Sequence, residues 1–470
     1  MGKLTVGTAK ICISPTKDMF PFDGPEYLGG GIKIEDVYFD EYIRMLALSN
    51  GKETYLFGSF EESNGTDALK DVITEKYGIP YKNQMFCQIH NHGGVPVPTI
   101  TKPGRGSKKH HTFSDTQKRL GQRIFDKAVE AAGEALQNMR PARMGYGEGK
   151  SYISVNRDLP NDDGYWTQAD NYDGPSDKTL AVLKFTDGEG NLIAALLNYG
   201  AHAITTIGAT DVDGKLKTSA DFPGFACDYL EKKYPGSIVM WTSAAAGDQN
   251  AICVFKGDQH YTETCNVAPS TTLPHGYQYC YSQHLGERHA VDADKVLRKL
   301  DCRWDELDIR SAVTDVYIPQ QSPPANVNFW LNIALAQNNV SVVQKMAPEM
   351  VVDGKILGRN IDDYIPNGTS EDCEMQMFVL GDLTIIAVAA ELYTNLGKAI
   401  KEACPTKNAF VITVCGGHGN RVGYIQDTQS NTHKTFQHFG EAAPCDSNQI
   451  FTDGVKLLTK QVLGQQGDRA

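Results

Sequence analysis

Hydrophobic and polar positions along this chain fall into two kinds of block. Short apolar runs bounded by glycine or polar clusters predict strands, and stretches with apolar residues every three to four positions predict helices. Met85, Phe86, Cys87 and Ile89, broken only by Gln88, read as a short buried strand that stops at Gly93-Gly94. Residues 114–140 read as a long helix. Leu120, Ile124, Ala128, Ala131, Ala135 and Met139 form its apolar stripe, Ser114 with Gln117 forms a capping box, and Pro141 ends it. Residues 180–186 and 191–199 read as a hairpin turned at Asp187-Gly188-Glu189-Gly190. Residues 222–233 read as a helix with Pro223 in its first turn, and 237–242 as a buried strand. Residues 383–389 are almost wholly apolar, as a strand covered on both faces would be; a helix over 393–403 and a strand over 409–414 follow.

This alternation of strands and helices predicts an α/β fold of layered mixed β-sheets flanked by helices. No internal repeat or low-complexity tract divides the chain, so residues 1–470 read as one domain. Residues 100–112 read as a polar surface loop. The stretch 255–285, rich in Tyr, Thr, His and Gln, fits neither periodicity.

Composition narrows the partners. The chain has 470 residues, 41% of them hydrophobic, enough for a large core. A net charge of -12 and a pI near 5.5 argue against a nucleic-acid partner, because a polyanion would be repelled. The short basic patch around Arg105, Lys108 and Lys109 reads as a solvated loop. No apolar run is long enough for an integral membrane segment. The start lacks the apolar stretch of a signal peptide, and the eleven cysteines form no C-x-x-C pair. An odd count leaves at least one thiol free, which fits a reducing compartment, so a cytoplasmic protein acting on a small-molecule substrate is expected.

Chemistry-bearing residues gather where apolar strands stop, which is where α/β folds place their sites. His90 and His92 stand at the end of the 85–89 run; in an extended chain, residues i and i+2 point to one side. The competing reading is a pair of loop histidines with ordinary hydrogen bonds. His202 follows Leu196 to Ala201, Asp248 follows Ile238 to Trp241, Glu391 follows Ile385 to Ala390, and Tyr424 follows the 409–414 run. His90, His202 and Glu391 together would make a two-imidazole, one-carboxylate set with an open position, the ligand economy of a catalytic zinc site. Tyr424 would complete that shell or hydrogen-bond a substrate oxyanion. Asp221, directly before Phe222-Pro223, reads first as a helix cap. His418 and the pair His110-His111 read as exposed loop residues.

Along nearly its whole length the sequence resembles the catalytic domain of the neutral, non-lysosomal ceramidases and their bacterial relatives. The resemblance runs through Val6 to Ile11, Asp40 to Arg44, and Ile89-His90-Asn91-His92-Gly93, which is similar to the family's His-Thr-His-Ser-Gly stretch. It continues through Val155-Asn156-Arg157, Tyr199-Gly200-Ala201-His202, Ser219 to Gly224, Ala246-Gly247-Asp248-Gln249-Asn250, Glu391, and Gly423-Tyr424-Ile425. It implies a zinc-dependent amide hydrolase within a single catalytic domain. Zinc would be held by His90, His202, Glu391 and Tyr424, while His92 and Arg157 would hold the scissile carbonyl or nearby substrate oxygens. Three departures qualify this. Asn250 stands where the family carries a serine, which closes a covalent serine route there. The chain ends without the family's additional C-terminal sandwich domain. Phe439 stands where a tyrosine near the substrate tunnel is usual.

The expected function is therefore zinc-dependent hydrolysis of an amide or ester bond in a small polar substrate, an N-acyl compound or sugar derivative, by metal-activated water. His92 or Asp248 would relay the proton, Arg157 and Tyr424 would stabilise the oxyanion, and Asn250 would orient the substrate. Three alternatives stand beside it: a metal-dependent lyase or isomerase acting on a carbohydrate, a true ceramidase, and a binding protein that keeps the fold without catalysis.

Overall fold

The structure, a computed structural model, describes residues 2–24, 32–62, 66–102, 112–160, 165–252, 275–358, 360–417, 422–439 and 442–464. Three main sheets face one another. The first orders strands Gln84–Gln88, Thr54–Phe60, Tyr42–Ser49, Thr5–Cys12 and Arg140–Pro141. The second orders Ile238–Ser243, Leu192–Tyr199, Thr179–Thr186 and Arg143–Lys150. The third orders Ile309–Ser322, Ile365–Leu380, Leu383–Val388 and Asn408–Ile412. Each is antiparallel except for one parallel pair at an edge: Thr54–Phe60 with Gln84–Gln88, Leu192–Tyr199 with Ile238–Ser243, and Leu383–Val388 with Asn408–Ile412.

The inner faces meet in one apolar layer. Leu46, Phe57 and Met85 from the first sheet pack with Leu183, Leu196 and Met240 from the second and Phe378, Ile385 and Phe410 from the third. Helices cover the outer faces. Asp67–Tyr77 and Asp115–Gln137 lie over the first sheet, Asp221–Lys233 and Tyr277–Lys299 over the second, and Thr394–Glu402 and Ser447–Gly464 over the third. This is the expected layered α/β fold. All six residues of Leu383–Val388 are buried, because that strand is paired on both edges and covered on both faces.

The predicted elements hold within a residue or three. Ser114 caps its helix with the predicted reciprocal bonds to Gln117, and the helix stops at Gln137, three positions earlier than expected, because the chain turns there to add Arg140–Pro141 to the first sheet. Ile238–Ser243 is shifted by one residue, and the last strand runs Asn408–Ile412. No described helix is long and apolar enough to cross a membrane. Most of the 100–112 and 255–285 segments, with His110, His111 and His418, lies outside the described residues. The helix Tyr277–Lys299 takes up the end of the second segment.

A smaller apolar cluster lies apart from this core. Leu335, Val343, Ile361, Tyr364 and Phe439 form it, between the short helices Phe329–Ala336 and Val340–Met346 and the segment that precedes the long strand Ile365–Leu380.

Candidate metal centre

One strand of each parallel pair leads into the site, and the residues that follow the three strands meet there. Gln84–Gln88 leads to His90, Leu192–Tyr199 to His202, and Leu383–Val388 to Glu391. Short backbone pairings then lace these strand ends together. Asn91 bridges Ala203, His202 bridges Asn250, and Glu391 pairs in parallel with Tyr424. His92 N–H donates to Ala203 O at 2.9 Å, and Gly247 N–H donates to Leu392 O at 2.8 Å.

The His90-x-His92 pair converges for a reason other than strand alternation. His90 lies beyond the strand, in the left-handed region at φ 60°. The turn is held through Asn91, whose Nδ2 donates to Glu41 Oε1 (3.1 Å), Glu61 O (3.2 Å) and Ser219 O (2.7 Å), while its Oδ1 accepts from Gly93 N–H (2.8 Å). Gly93 and Gly94 must lack side chains here: a Cβ on Gly94 would lie 1.9 Å from Glu62 Oε2, and one on Gly93 2.1 Å from Thr206 Oγ1.

Three imidazoles and one carboxylate meet at this seam. The ligand atoms of His90, His92 and His202 all lie within 4.8 Å of one another. Glu391 Oε2 sits 3.0 Å from His90 Nε2 and 3.2 Å from His202 Nε2. His90 and His92 bring their Nε2 atoms within 3.2 Å. Tyr424 Oη lies 3.3 Å from His202 Nε2, its ring roughly parallel to that imidazole. His202 Nδ1 lies 3.0 Å from Gln249 O, a carbonyl that can only accept. That contact calls for the proton on Nδ1, which donates to the carbonyl, and leaves the Nε2 lone pair facing Glu391, the arrangement by which backbone carbonyls orient metal-binding histidines.

Electrostatics favour the ligand forms. Burial, reinforced by the Arg157 charge, pushes His202 down to about 3. Burial, with His90 and His202 nearby, holds His92 well below the usual histidine range. Burial opposes the charge on Glu391, but His90 and His202 outweigh it and keep the carboxylate well below its ordinary value. Neutral imidazoles beside an ionised carboxylate are the donor set of a divalent cation such as zinc, and the chain fits that ion.

Arg157 forms the adjoining wall. Its Nη2 and Nε donate to Gly247 O at 2.6 and 3.1 Å, its Nη1 donates to Asn250 Oδ1 at 3.2 Å, and Nη2 lies 3.4 Å from His202 Nε2. The guanidinium therefore faces the cluster, while Asp158 turns its carboxylate to His433. A β-bulge re-aims it: Asn156 pairs with Asn171 but Asp158 with Gln168, so two residues of Trp166–Asn171 oppose Arg157. Asn250 is buried beside it, and its Nδ2 has no hydrogen-bond partner among the described residues.

Three sequence expectations change here. Asp248 makes its hydrogen bonds to Thr394 N–H (2.8 Å), Thr394 Oγ1 (2.7 Å) and Asn156 Nδ2 (2.9 Å), and none to an imidazole among the described residues. It clamps the segment after Glu391 to the strand of Arg157, and the expected proton relay loses its geometric support. Burial and the neighbouring Asp158 charge raise its carboxyl to about 7. Phe439 packs against Tyr364 in the outer cluster; the ring at the site is Phe436, edge-on to Tyr424 and 5.5 Å from the Arg157 guanidinium. Asp221 is the first residue of its helix, not the cap. Its buried carboxylate accepts from Thr206 N–H (2.7 Å), Thr206 Oγ1 (2.8 Å), Thr205 Oγ1 and Phe222 N–H (2.6 Å), which fixes the loop after His202. The i+2 spacing from His90 marked His92 as half of a candidate metal pair, and the ligand set left it a substrate-holding and proton-relay role; its imidazole lies within ligand distance of His90 and His202. Thr394, Phe436 and Gln437 carried no such signal.

A polar, metal-competent cluster at converging strand ends defines a class of α/β protein in which chemistry is grafted onto the carboxyl ends of parallel strands. The chain is ceramidase-like in fold. It aligns with neutral ceramidase from Pseudomonas aeruginosa at a TM-score of 0.66 and 17% identity, covering 98% of this chain and 75% of that one. It aligns equally with a ceramidase complexed with C2, at a TM-score of 0.66 and 16% identity, over 98% of this chain and 76% of that one. No family model matches the sequence, and no curated protein does.

Proposed function

We propose that this chain is a zinc-dependent hydrolase of amide bonds in small polar N-acyl compounds. The observation that carries this reading is the convergence of His90, His92, His202 and Glu391 from three remote segments onto one point. The similarity in fold to neutral ceramidase adds the reaction type. His90, His202 and Glu391 would hold the ion, with His92 or Tyr424 as the further ligand. Zinc bound there would supply Lewis-acid polarisation of a carbonyl and a more acidic water.

The chain's own groups do the rest. Arg157, fixed by Gly247 O and Asn250, presents its remaining N–H groups to a carbonyl oxygen as negative charge develops on it, a contribution on the order of 3 kcal/mol per donor. Whichever of His92 and Tyr424 is not a ligand adds a second contact to that oxygen. Asn250 offers its unpartnered Nδ2 to the substrate. Asparagine has no hydroxyl nucleophile, so the attacking oxygen comes from water. Half-buried Phe436 and Tyr424 stand close to the buried Arg157 guanidinium and wall one side of the site, a setting suited to a small substrate.

Elemental analysis of purified protein and of His202→Ala tests this reading. About one zinc per chain is expected in the wild type, with metal content and amide hydrolysis both lost in the variant. A metal-free variant that still turns over would refute the ligand set.

A further inference from the structure

Beside the metal centre lies a second polar group that the proposed reaction does not use. Asp158 and Gln168 are directly opposite on the antiparallel pair Ser154–Pro160 and Trp166–Asn171, so their side chains share one face. Trp166, two residues from Gln168, stands on that face too. His433 closes the far side: its ring stacks on Trp166 with centroids 3.5 Å apart, and its Nδ1 lies 3.2 Å from Asp158 Oδ2.

Asp158 is 1% exposed and Gln168 2% exposed, yet Asp158 Oδ1 and Gln168 Oε1 have no hydrogen-bond partner among the described residues. Gln437 Oε1, also buried, is in the same state, and its Nε2 lies 3.4 Å from Gly247 O, the carbonyl that anchors Arg157. Leaving a buried polar atom without a partner is costly, so three such atoms around this strand pair imply that something donates to them. All three are acceptors: one carboxylate oxygen and two amide oxygens. What fills them must carry O–H or N–H groups. A carboxylate, a phosphate or an alkyl chain would leave them unsatisfied.

We infer that Asp158, Gln168 and Gln437 form a head-group subsite that holds the hydroxyl and amine hydrogens of a polyhydroxylated amine, the part of the substrate released when the acyl bond is cut. The inference rests on the amide-hydrolase reading for its placement. In that reaction the water oxygen bonds to the acyl carbon, the C–N bond breaks, and the nitrogen leaves as the amine with a proton from water. Gln437 Nε2 and Arg157 Nη2 both reach Gly247 O, at 3.4 and 2.6 Å, so this end of the subsite adjoins the Arg157 wall where the amine would leave.

Two measurements test it on zinc-loaded, full-length protein. Calorimetric titration with D-glucosamine reads the subsite without any turnover. Saturable binding to the wild type is expected, weakened at least tenfold by Asp158→Asn and by Gln168→Leu. The second variant removes an acceptor without touching a charge, so a folding defect in one leaves the other informative. The kcat/KM ratio for N-acetyl-D-glucosamine over acetanilide is expected to fall at least tenfold in both variants, with zinc content unchanged. Glucosamine binding that neither variant alters, or no binding at all, overturns the subsite and leaves ordered waters as the donors. If the wild type binds glucosamine but hydrolyses neither amide, the subsite stands and the amide-hydrolase reading falls.

Discussion

Two buried polar regions of this protein look alike in composition and differ in how completely their atoms are paired. In the first, Lys70 reaches from Asp67–Tyr77 to Glu374 at 2.9 Å and Gln376 at 3.2 Å. Glu374 also accepts from Tyr81 Oη at 2.6 Å and Gly417 N–H at 2.8 Å. Every charge there has its counter-charge and its donors. In the second, the imidazole cluster, imidazole nitrogens and a carboxylate oxygen face one another across 3.0–3.2 Å, and Glu391 is shared between His90 and His202. A closed set of partners tells of architecture; donor atoms that converge on one point are what the proposed cation site would use. The Arg44, Glu61, Glu231 and Lys10 network, buried under the first sheet, belongs with the closed kind.

Separating the two regions by mutation gives the sharpest tests. The largest effect is expected on metal content and turnover: Glu391→Gln should reduce zinc per chain to near zero and abolish hydrolysis, while the thermal midpoint of the metal-free protein shifts little. Lys70→Met should do the reverse. It leaves Glu374 buried without its cation and should cost about 3–5 kcal/mol in denaturant titrations, with zinc per folded chain unchanged.

A pH effect follows from the same pair. Burial opposes the charge on Glu374, but Lys70, helped by Tyr81 and Gly417, outweighs it and holds the carboxyl at about 2. Its pKa in the folded chain is below the ordinary 4.5, so its stabilising contribution is complete above 4.5 and drains away as pH falls from there toward 2. Acid titration of metal-free protein should show this loss, and Glu374→Gln should flatten that limb; an unchanged acid limb in the variant would contradict the assignment. Asn250→Ala should leave zinc in place and lower kcat/KM about tenfold, the worth of one lost hydrogen bond to Arg157. Lys456→Ala, which breaks an exposed pair with Asp453 at 2.8 Å, should leave the denaturation midpoint unchanged.

The layered fold was legible in the sequence because its signals are local. A capping box at Ser114 and Gln117, a glycine-rich turn at 187–190, and an unbroken apolar run after Leu383 each specify an element without reference to the rest of the chain. The candidate ligands were legible for a related reason: His90, His202 and Glu391 each stand just past an apolar run, and strand ends converge in such folds. What sequence could not give is anything set by tertiary contact. Asp248 could be read as a proton relay until Thr394 and Asn156 were seen to occupy its oxygens. Phe436 and Phe439 are indistinguishable in sequence, and only folding puts one against Arg157 and the other against Tyr364. Arg157 and Asp158 are neighbours in sequence, yet only the fold sends one to Gly247 O and the other to His433.

The stitching of the strand ends has a consequence for the order of assembly. His202 and Glu391 are 189 residues apart in sequence and meet only through pairings that the completed sheets make available. A cation cannot gather them early, since closing so long a loop before the sheets exist yields nothing to repay the lost chain entropy. The protein should thus acquire its ion as a finished receptacle, and a chelator should silence it while leaving its architecture standing, unlike small domains that collapse when their zinc is withdrawn.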